Sequence, residues 1–193
     1  MSEFVYIGSR PRKAWADFHW ASIASSKSKV SELLDELDGR RRAFLVISEP
    51  VGWGWLLDTL ASRGSRRRWQ SRVLGLADIE HGWAVESLLD TSFERCVRRP
   101  PVVILLHELA EVLKQPNLGD FCIGGSVDAA HQMVVLVRGN LDVLPVPMAS
   151  FRPSGDGTKP DFEDFEVIDH GQTLRFGSYE ASFDAVLYEM DDE

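Results

Sequence analysis

Apolar residues at helical spacing predict an amphipathic helix near the start of the chain. They recur at intervals of three and four residues, which places them on one face: Val30, Leu33, Leu34 and Leu37. Ser28 precedes them at the N-cap position, where a hydroxyl satisfies free backbone N–H groups. Gly39 follows as the residue that most easily takes the left-handed conformation ending a helix. The pattern therefore predicts a helix between Ser28 and Gly39.

Continuous apolar runs predict strands on both sides of this helix. Residues 43–48 are rich in branched apolar side chains, as in strands buried on both faces. Residues 4–7 form a shorter run of the same kind. Trp15, Phe18 and His19 lie between these runs at the spacing of one buried helical turn.

Two further stretches predict helices. One begins at residue 51, after a break at Glu49 and Pro50, and a second follows an apolar segment within residues 73–90. Residues 102–114 leave two alternatives open. They form either one helix with Pro101 at its first position or a strand that runs into a helix.

The last third of the chain begins with a hairpin pattern. Residues 133–137 and 141–146 flank the pair 139–140, Gly-Asn, which suits a two-residue turn with positive φ. Pro145 and Pro147 cannot donate ladder hydrogen bonds. We therefore expect the second strand of this hairpin to lie at a sheet edge.

A second hairpin pattern and a short helix complete this third. Residues 165–168 and 172–176 alternate between apolar and polar positions around a turn at residues 170–171. Ser182 then stands as an N-cap before apolar residues at helical spacing, which are Phe183, Val186, Leu187 and Met190. Together the patterns predict a mixed α/β (α+β) protein. Its domains are a mixed helix and strand domain over residues 1–128 and a smaller module of two hairpins and a short helix over residues 129–193.

Composition places the chain among globular proteins that need no covalent staple. The hydrophobic fraction is 44% and the charged fraction is 26% of 193 residues. Cys96 and Cys122 have no CxxC spacing, so we expect buried, reduced thiols and no cofactor. No apolar run approaches the roughly 20 residues of a membrane span, and no signal-peptide pattern opens the sequence. These features favour a bacterial-type cytoplasmic protein.

Charge is concentrated in the last 33 residues. Residues 161–193 contain 11 acidic residues and one basic residue, whereas the other 160 contain 19 acidic and 20 basic residues. The net charge of −9 therefore belongs to the C-terminal module. A strongly acidic surface repels nucleic acid and favours a basic protein partner. A solvated face without a partner has the same pattern.

A basic segment is the first candidate site. Residues 63–72 contain Arg63, Arg66, Arg67, Arg68 and Arg72 around Trp69. Arginines that track a backbone and an aromatic ring that stacks on bases are the elements of a single-stranded nucleic-acid site. The alternatives are a solvated loop and an internal partner for the acidic module.

The second candidate is a metal site on a helix. His107 and Glu111 are four residues apart and share one helical face, as metal ligands must. The zinc-protease pattern has a second histidine where this chain has Glu111, and the spacing nominates no third ligand. A hydrogen-bonded histidine on a half-buried helix is the structural alternative.

The C-terminal third resembles a bacterial family of small β-rich domains of unknown function. Such domains combine a glycine turn, a strand ending in Val-Pro, a charged segment, a strand after glycine and a final helix. The matching positions are Gly139, Val146, Pro147, Phe151, residues 171–176 and residues 184–188. The resemblance covers about 55 residues and implies an antitoxin-type or regulatory component. The family has no established catalytic residues to carry over to this chain.

These observations favour a non-enzymatic partner-binding protein of antitoxin, immunity or regulatory type that acts through protein–protein interaction. The expected partner is a protein with a basic surface, and no membrane is involved. Two alternatives are a nucleic-acid-associated protein that uses residues 63–72 and a metal-dependent hydrolase built on His107 and Glu111. The sequence leaves the oligomeric state open.

Overall fold

The computed structural model describes residues 3–15, 17–38, 43–63, 68–78 and 83–191. Both helices and strands occur in these residues, and the strands form three sheets. The predicted mixed α/β class is therefore confirmed. The chain divides into two compact units, Met1–Arg99 and Pro100–Glu193.

The boundary between the units differs from the predicted one between residues 128 and 129. Strand β7 (Cys122–Asp128) pairs with strand β8 (Met133–Arg138), with Ser126 opposite Val135. A boundary after residue 128 would cut this ladder, so residues 100–128 belong to the second unit. The sequence pattern missed the pairing because β7 contains Gly124 and Gly125, which weaken a strand signal.

The first unit contains a parallel five-stranded sheet. Its strands are β1 (Glu3–Ile7), β2 (Ser22–Ala24), β3 (Ala43–Ile47), β4 (Trp69–Gly75) and β5 (Phe93–Val97). They lie in the order β2-β1-β3-β4-β5, with every pair parallel. This is the strand order of flavodoxin-like sheets, in which the direction of chain progression reverses between β1 and β3.

Three helices pack with the sheet to form the core of the first unit. They are α1 (Lys27–Asp38), α2 (Pro50–Arg63) and α3 (Trp83–Ser92). The register aligns Val5 with Leu45 and Leu45 with Val73 in one inward row. This row packs in the same buried cluster as Leu34 and Leu56 of the helices.

Local signals account for the ends of α1 and α2. The predicted helix over residues 28–39 is confirmed as α1, but the capping hydroxyl belongs to Ser26, whose Oγ accepts from the Lys29 N–H at 3.3 Å. Pro50 occupies the first position of α2, where its missing N–H is not needed. Gly39 lies outside the described residues.

Aromatic side chains contact the residues of β1 that point away from this cluster. Phe18 lies edge-on to Phe4, and Trp20 lies edge-on to Tyr6. Trp15 stacks on Trp20 with centroids 5.2 Å apart. The predicted helical turn is only a short 3-10 turn at Lys13–Trp15. Trp15 and Phe18 are buried as expected, but His19 is exposed.

The second unit contains two antiparallel sheets. One consists of β6 (Val102–Val103), β7, β8 and β9 (Val143–Pro147), in that order. The other consists of β10 (Phe165–Ile168), β11 (Thr173–Phe176) and β12 (Tyr179–Ser182). The helices are α4 (Leu106–Leu113) and α5 (Phe183–Asp191).

Several predictions for this unit are settled by these elements. Residues 102–114 form a strand followed by a helix, the second alternative above. Strand β9 lies at a sheet edge, as its prolines indicated. The first hairpin turn differs, because the positive φ of 65° falls on buried Leu141 and not on Gly139 or Asn140. The module of hairpins and a short helix is confirmed, with β12 as an additional strand.

Among the helices of the described residues, none combines the length and apolar character needed to cross a lipid bilayer.

Candidate functional site

The basic segment makes internal contacts in the first unit. Arg63 ends α2 and donates to the Ser31 carbonyl at 2.6 Å, and it also pairs with Asp35 at 2.9 Å. Arg68 donates to the Phe93 carbonyl at 3.0 Å. These guanidinium groups therefore tie neighbouring elements of the first unit together. None of these contacts involves the acidic module, which the sequence offered as an internal partner. Arg66 and Arg67 lie outside the described residues.

The two remaining members of the segment lie on β4. Trp69 is only 4% exposed and stacks on Phe93 with ring centroids 5.5 Å apart. Arg72 pairs with Glu94 on the adjacent strand at 3.1 Å. A nucleic-acid base stacks on an exposed ring, and the ring of Trp69 is already packed in the core. The described part of the segment therefore lacks the stacking surface that the hypothesis requires.

His107 and Glu111 both lie on α4 and are exposed. The Glu111 carboxylate accepts from the Lys114 ammonium at 2.7 Å. This hydrogen bond lowers the pKa of Glu111, and charge interactions with Lys114 and His170 act in the same direction. Glu111 is thus paired with Lys114, the residue that directly follows α4.

The histidine that approaches α4 comes from a different part of the chain. The Nδ1 atom of His170 lies 4.0 Å from Oε1 of Glu108, whose side chain is 14% exposed. Sequence reasoning missed this pair because the two residues are far apart in the chain. In the described part of the protein, no group of three or more histidine, cysteine or acidic side chains could hold a metal ion.

A constrained turn carries His170. Three successive residues have positive φ: Asp169 at 52°, His170 at 54° and Gly171 at 82°. A Cβ atom on Gly171 would lie 2.2 Å from the carbonyl oxygen of Cys122, so the turn packs directly against β7. Left-handed non-glycine residues are sparsely populated, and Asp and His are among those that tolerate the conformation best. The backbone of this turn sets the direction in which the His170 side chain leaves the chain. The distance between His170 Nδ1 and Glu108 Oε1 is longer than a hydrogen bond.

The first unit has a second position where ligands commonly bind. In sheets with this strand order, ligands bind outside the carboxyl ends of β1 and β3. Here the Tyr6 hydroxyl lies 2.7 Å from Ser48 Oγ, and the Ser9 N–H donates to Glu49 at 2.8 Å. Arg12 donates to the Ser48 carbonyl at 3.0 Å. The chain's own groups therefore bridge the two strand ends.

The titration behaviour of this cluster follows from the same contacts. Burial raises the pKa of Tyr6. Burial alone would also raise the pKa of Glu49, but hydrogen bonds from the backbone and side chain of Ser9 and from the Arg10 backbone lower it overall. The Glu49 carboxylate is therefore an internal anion held by the backbone amides that follow β1.

A polar groove of about 550 Å³ runs along the surface between α1 and α2. Its lining residues are Lys27, Ser28, Ser31, Glu32, Asp35, Thr59 and Ser62. Sites for small molecules are lined mainly by apolar and aromatic side chains. This lining has none, which makes the groove a poor small-molecule site.

Both cysteines are free thiols, and Cys122 is buried as expected, whereas Cys96 is half-buried. Burial raises the pKa of Cys96 and of Cys122 to about 12. The thiolate is the nucleophilic form of cysteine. Both thiols therefore stay protonated near neutral pH.

Acidic side chains dominate the surface of the second unit. All eight described carboxylates of residues 161–189 are exposed: Asp161, Glu163, Asp164, Glu166, Asp169, Glu180, Asp184 and Glu189. Arg175 on β11 lies between Glu166 of β10 and Glu180 of β12 in one cross-strand row. It forms an ion pair with Glu166, whose hydrogen bond raises the pKa of the guanidinium. One cation thus offsets one of eight carboxylates.

The class that the structure defines is a mixed α/β protein with two compact units and an acidic surface on the second. No protein-family model matches the chain, and the searches of curated proteins and of solved structures also found no match.

Proposed function

We propose that this protein is a non-enzymatic partner-binding protein of antitoxin, immunity or regulatory type. Its second unit binds a basic protein. The observation that carries the proposal is the set of eight exposed carboxylates over residues 161–189, offset by Arg175 alone. Opposite charge across an interface accelerates encounter and excludes wrong partners.

The packing of the second unit supports this function. Phe176 is fully buried and lies within about 5 Å of the Phe151 and Phe165 rings, which fixes β10 and β11. The row of Glu166, Arg175 and Glu180 lies on the outer side of β10, β11 and β12. A rigid scaffold with exposed charges loses little conformational entropy on binding. The resemblance of this third to antitoxin-type modules stays a prediction that agrees with the proposal.

Contacts elsewhere give the alternatives less support. Trp69 is buried, and Arg63, Arg68 and Arg72 have partners inside the first unit. His107 and Glu111 have no third ligand within the described residues. Binding of a basic protein to the acidic surface of the second unit requires neither a nucleic acid nor a metal.

The test is capture followed by reconstitution. The full chain is immobilised and exposed to an extract of its native source at about 50 mM salt, where charge interactions are weakly screened. We expect one positively charged protein, which then forms a stoichiometric complex with the full chain when both are purified. Failure to recover such a protein, or failure of the purified pair to associate, contradicts the proposal.

A further inference from the structure

The outer face of α5 carries an exposed aromatic side chain among the carboxylates. Phe183 and Val186 point inward and are 0% and 7% exposed. Tyr188 points outward and is 70% exposed, the highest value among the exposed large apolar side chains of the described residues. Tyr188 therefore presents a large, rigid aromatic ring to solvent.

Carboxylates surround this tyrosine on α5 and reach β12. Asp184 lies one helical turn before Tyr188, and Glu189 follows it; both are exposed. The charge of Glu189 adds to the effect of burial in raising the pKa of Tyr179 on β12. Glu180, the exposed neighbour of Tyr179 on β12, extends the acidic surface across the strand.

We infer that the outer face of α5, defined by Asp184, Tyr188 and Glu189, is the docking surface for an arginine-containing segment of the basic partner. The negative charge of this surface favours a positively charged segment as the ligand. The inference rests on the proposed function, in which the second unit binds a basic protein. A guanidinium group stacks on an aromatic face while its N–H groups bind carboxylates, and lysine lacks the planar geometry for both. Tyr188 supplies the face, and the flanking carboxylates supply the acceptors.

The test uses octa-arginine and octa-lysine peptides with the full chain, followed by two-dimensional NMR of the backbone amides. We expect the largest shift changes at α5 and Glu180, and tighter binding of octa-arginine than of octa-lysine. Tyr188→Ala should weaken octa-arginine binding about two- to fivefold. The same change should reduce the preference for arginine, because it removes the stacking surface and leaves only the carboxylates to distinguish the two peptides.

Matched variants separate stacking from general effects. Leu105 is 62% exposed in the same unit, so Leu105→Ala should leave both affinities unchanged. Tyr188→Phe keeps the ring and should retain the preference. The inference is overturned if neither peptide binds, if shifts centre on residues 161–164, or if Tyr188→Ala has no effect. Capture of a basic partner that binds equally well to Tyr188→Ala would overturn this inference alone, whereas absence of any basic partner overturns the proposed function.

Discussion

Gly171 gives the sharpest stability prediction, because two structural features oppose any side chain there. Its φ is 82°, and a Cβ atom would lie 2.2 Å from the Cys122 carbonyl oxygen. The left-handed conformation costs a non-glycine residue about 1–2 kcal/mol. Displacing packed atoms adds about 1–3 kcal/mol. Gly171→Ala should therefore lower the free energy of unfolding by about 2–5 kcal/mol.

Urea unfolding followed by far-UV circular dichroism measures this change. With a slope of about 2 kcal/mol per molar urea, the midpoint should fall by about 1–2.5 M. Gly155 is the matched control, because a Cβ atom there would meet no atom within 4 Å. Gly155→Ala should stay within about 0.5 kcal/mol of the unchanged protein. Equal stability of the two variants would refute the packing of the 169–171 turn against β7.

Three further predictions concern other parts of the fold. Ser26→Ala should destabilise by about 1 kcal/mol in urea unfolding because it removes the cap of α1; an equal or larger effect of Ser28→Ala would restore the sequence-based cap. Trp53→Phe should lower the free energy of unfolding by about 1–3 kcal/mol, since the buried indole donates to the Ala77 carbonyl at 3.1 Å. Trp55 is half-buried, so Trp55→Phe should destabilise less; a larger effect of Trp55→Phe would contradict the packing. The hydrogen bond from His131 lowers the pKa of Asp128, so Asp128 contributes stability above its unfolded pKa that is lost as pH falls through its folded pKa. His131→Ala should raise the pKa of Asp128 toward its ordinary value in an NMR titration, His107→Ala should not, and an unchanged titration would contradict the contact.

The hydrophobic pattern of the sequence predicted two kinds of element: helices with one buried face and strands that are buried along their whole length. The apolar residues of α1 face one core, and β3 is buried at every position. In both cases neighbouring residues carry enough information, because helical and strand periodicity follow directly from backbone geometry. The hairpin of β10 and β11 was predicted for the same reason, with Phe165 opposite Phe176.

Contacts between distant residues were not predictable from spacing. His170 approaches Glu108 from a turn in which Gly171 packs against Cys122. Trp69 was a candidate stacking residue beside arginines, yet the stack on Phe93 buries it. At Leu141, full burial accompanies a left-handed conformation that local preference assigns to glycine or asparagine. In each case tertiary packing outweighs local preference.

Both the sequence and the structure were needed to identify the acidic surface. Composition located the negative charge in the last 33 residues. The structure shows that the described carboxylates there are exposed, and that Arg175 pairs with Glu166. Exposure makes the charge available to a partner, which composition alone does not establish.

The most direct test of the central claim is the affinity of the purified complex as a function of salt concentration. One variant combines Glu180→Gln, Asp184→Asn and Glu189→Gln, all at exposed positions of the second unit. Its control removes the same charge from exposed positions of the first unit through Asp17→Asn, Glu32→Gln and Asp90→Asn. The acidic surface predicts that rising salt concentration lowers the affinity of the complex formed by the wild-type protein.

The second-unit variant should bind at least about tenfold more weakly and depend less on salt, because it has lost interfacial charge. The first-unit control should match the unchanged protein. Equal weakening by the two variants, or an affinity that salt does not change, would contradict the claim that the acidic surface of the second unit binds a basic protein.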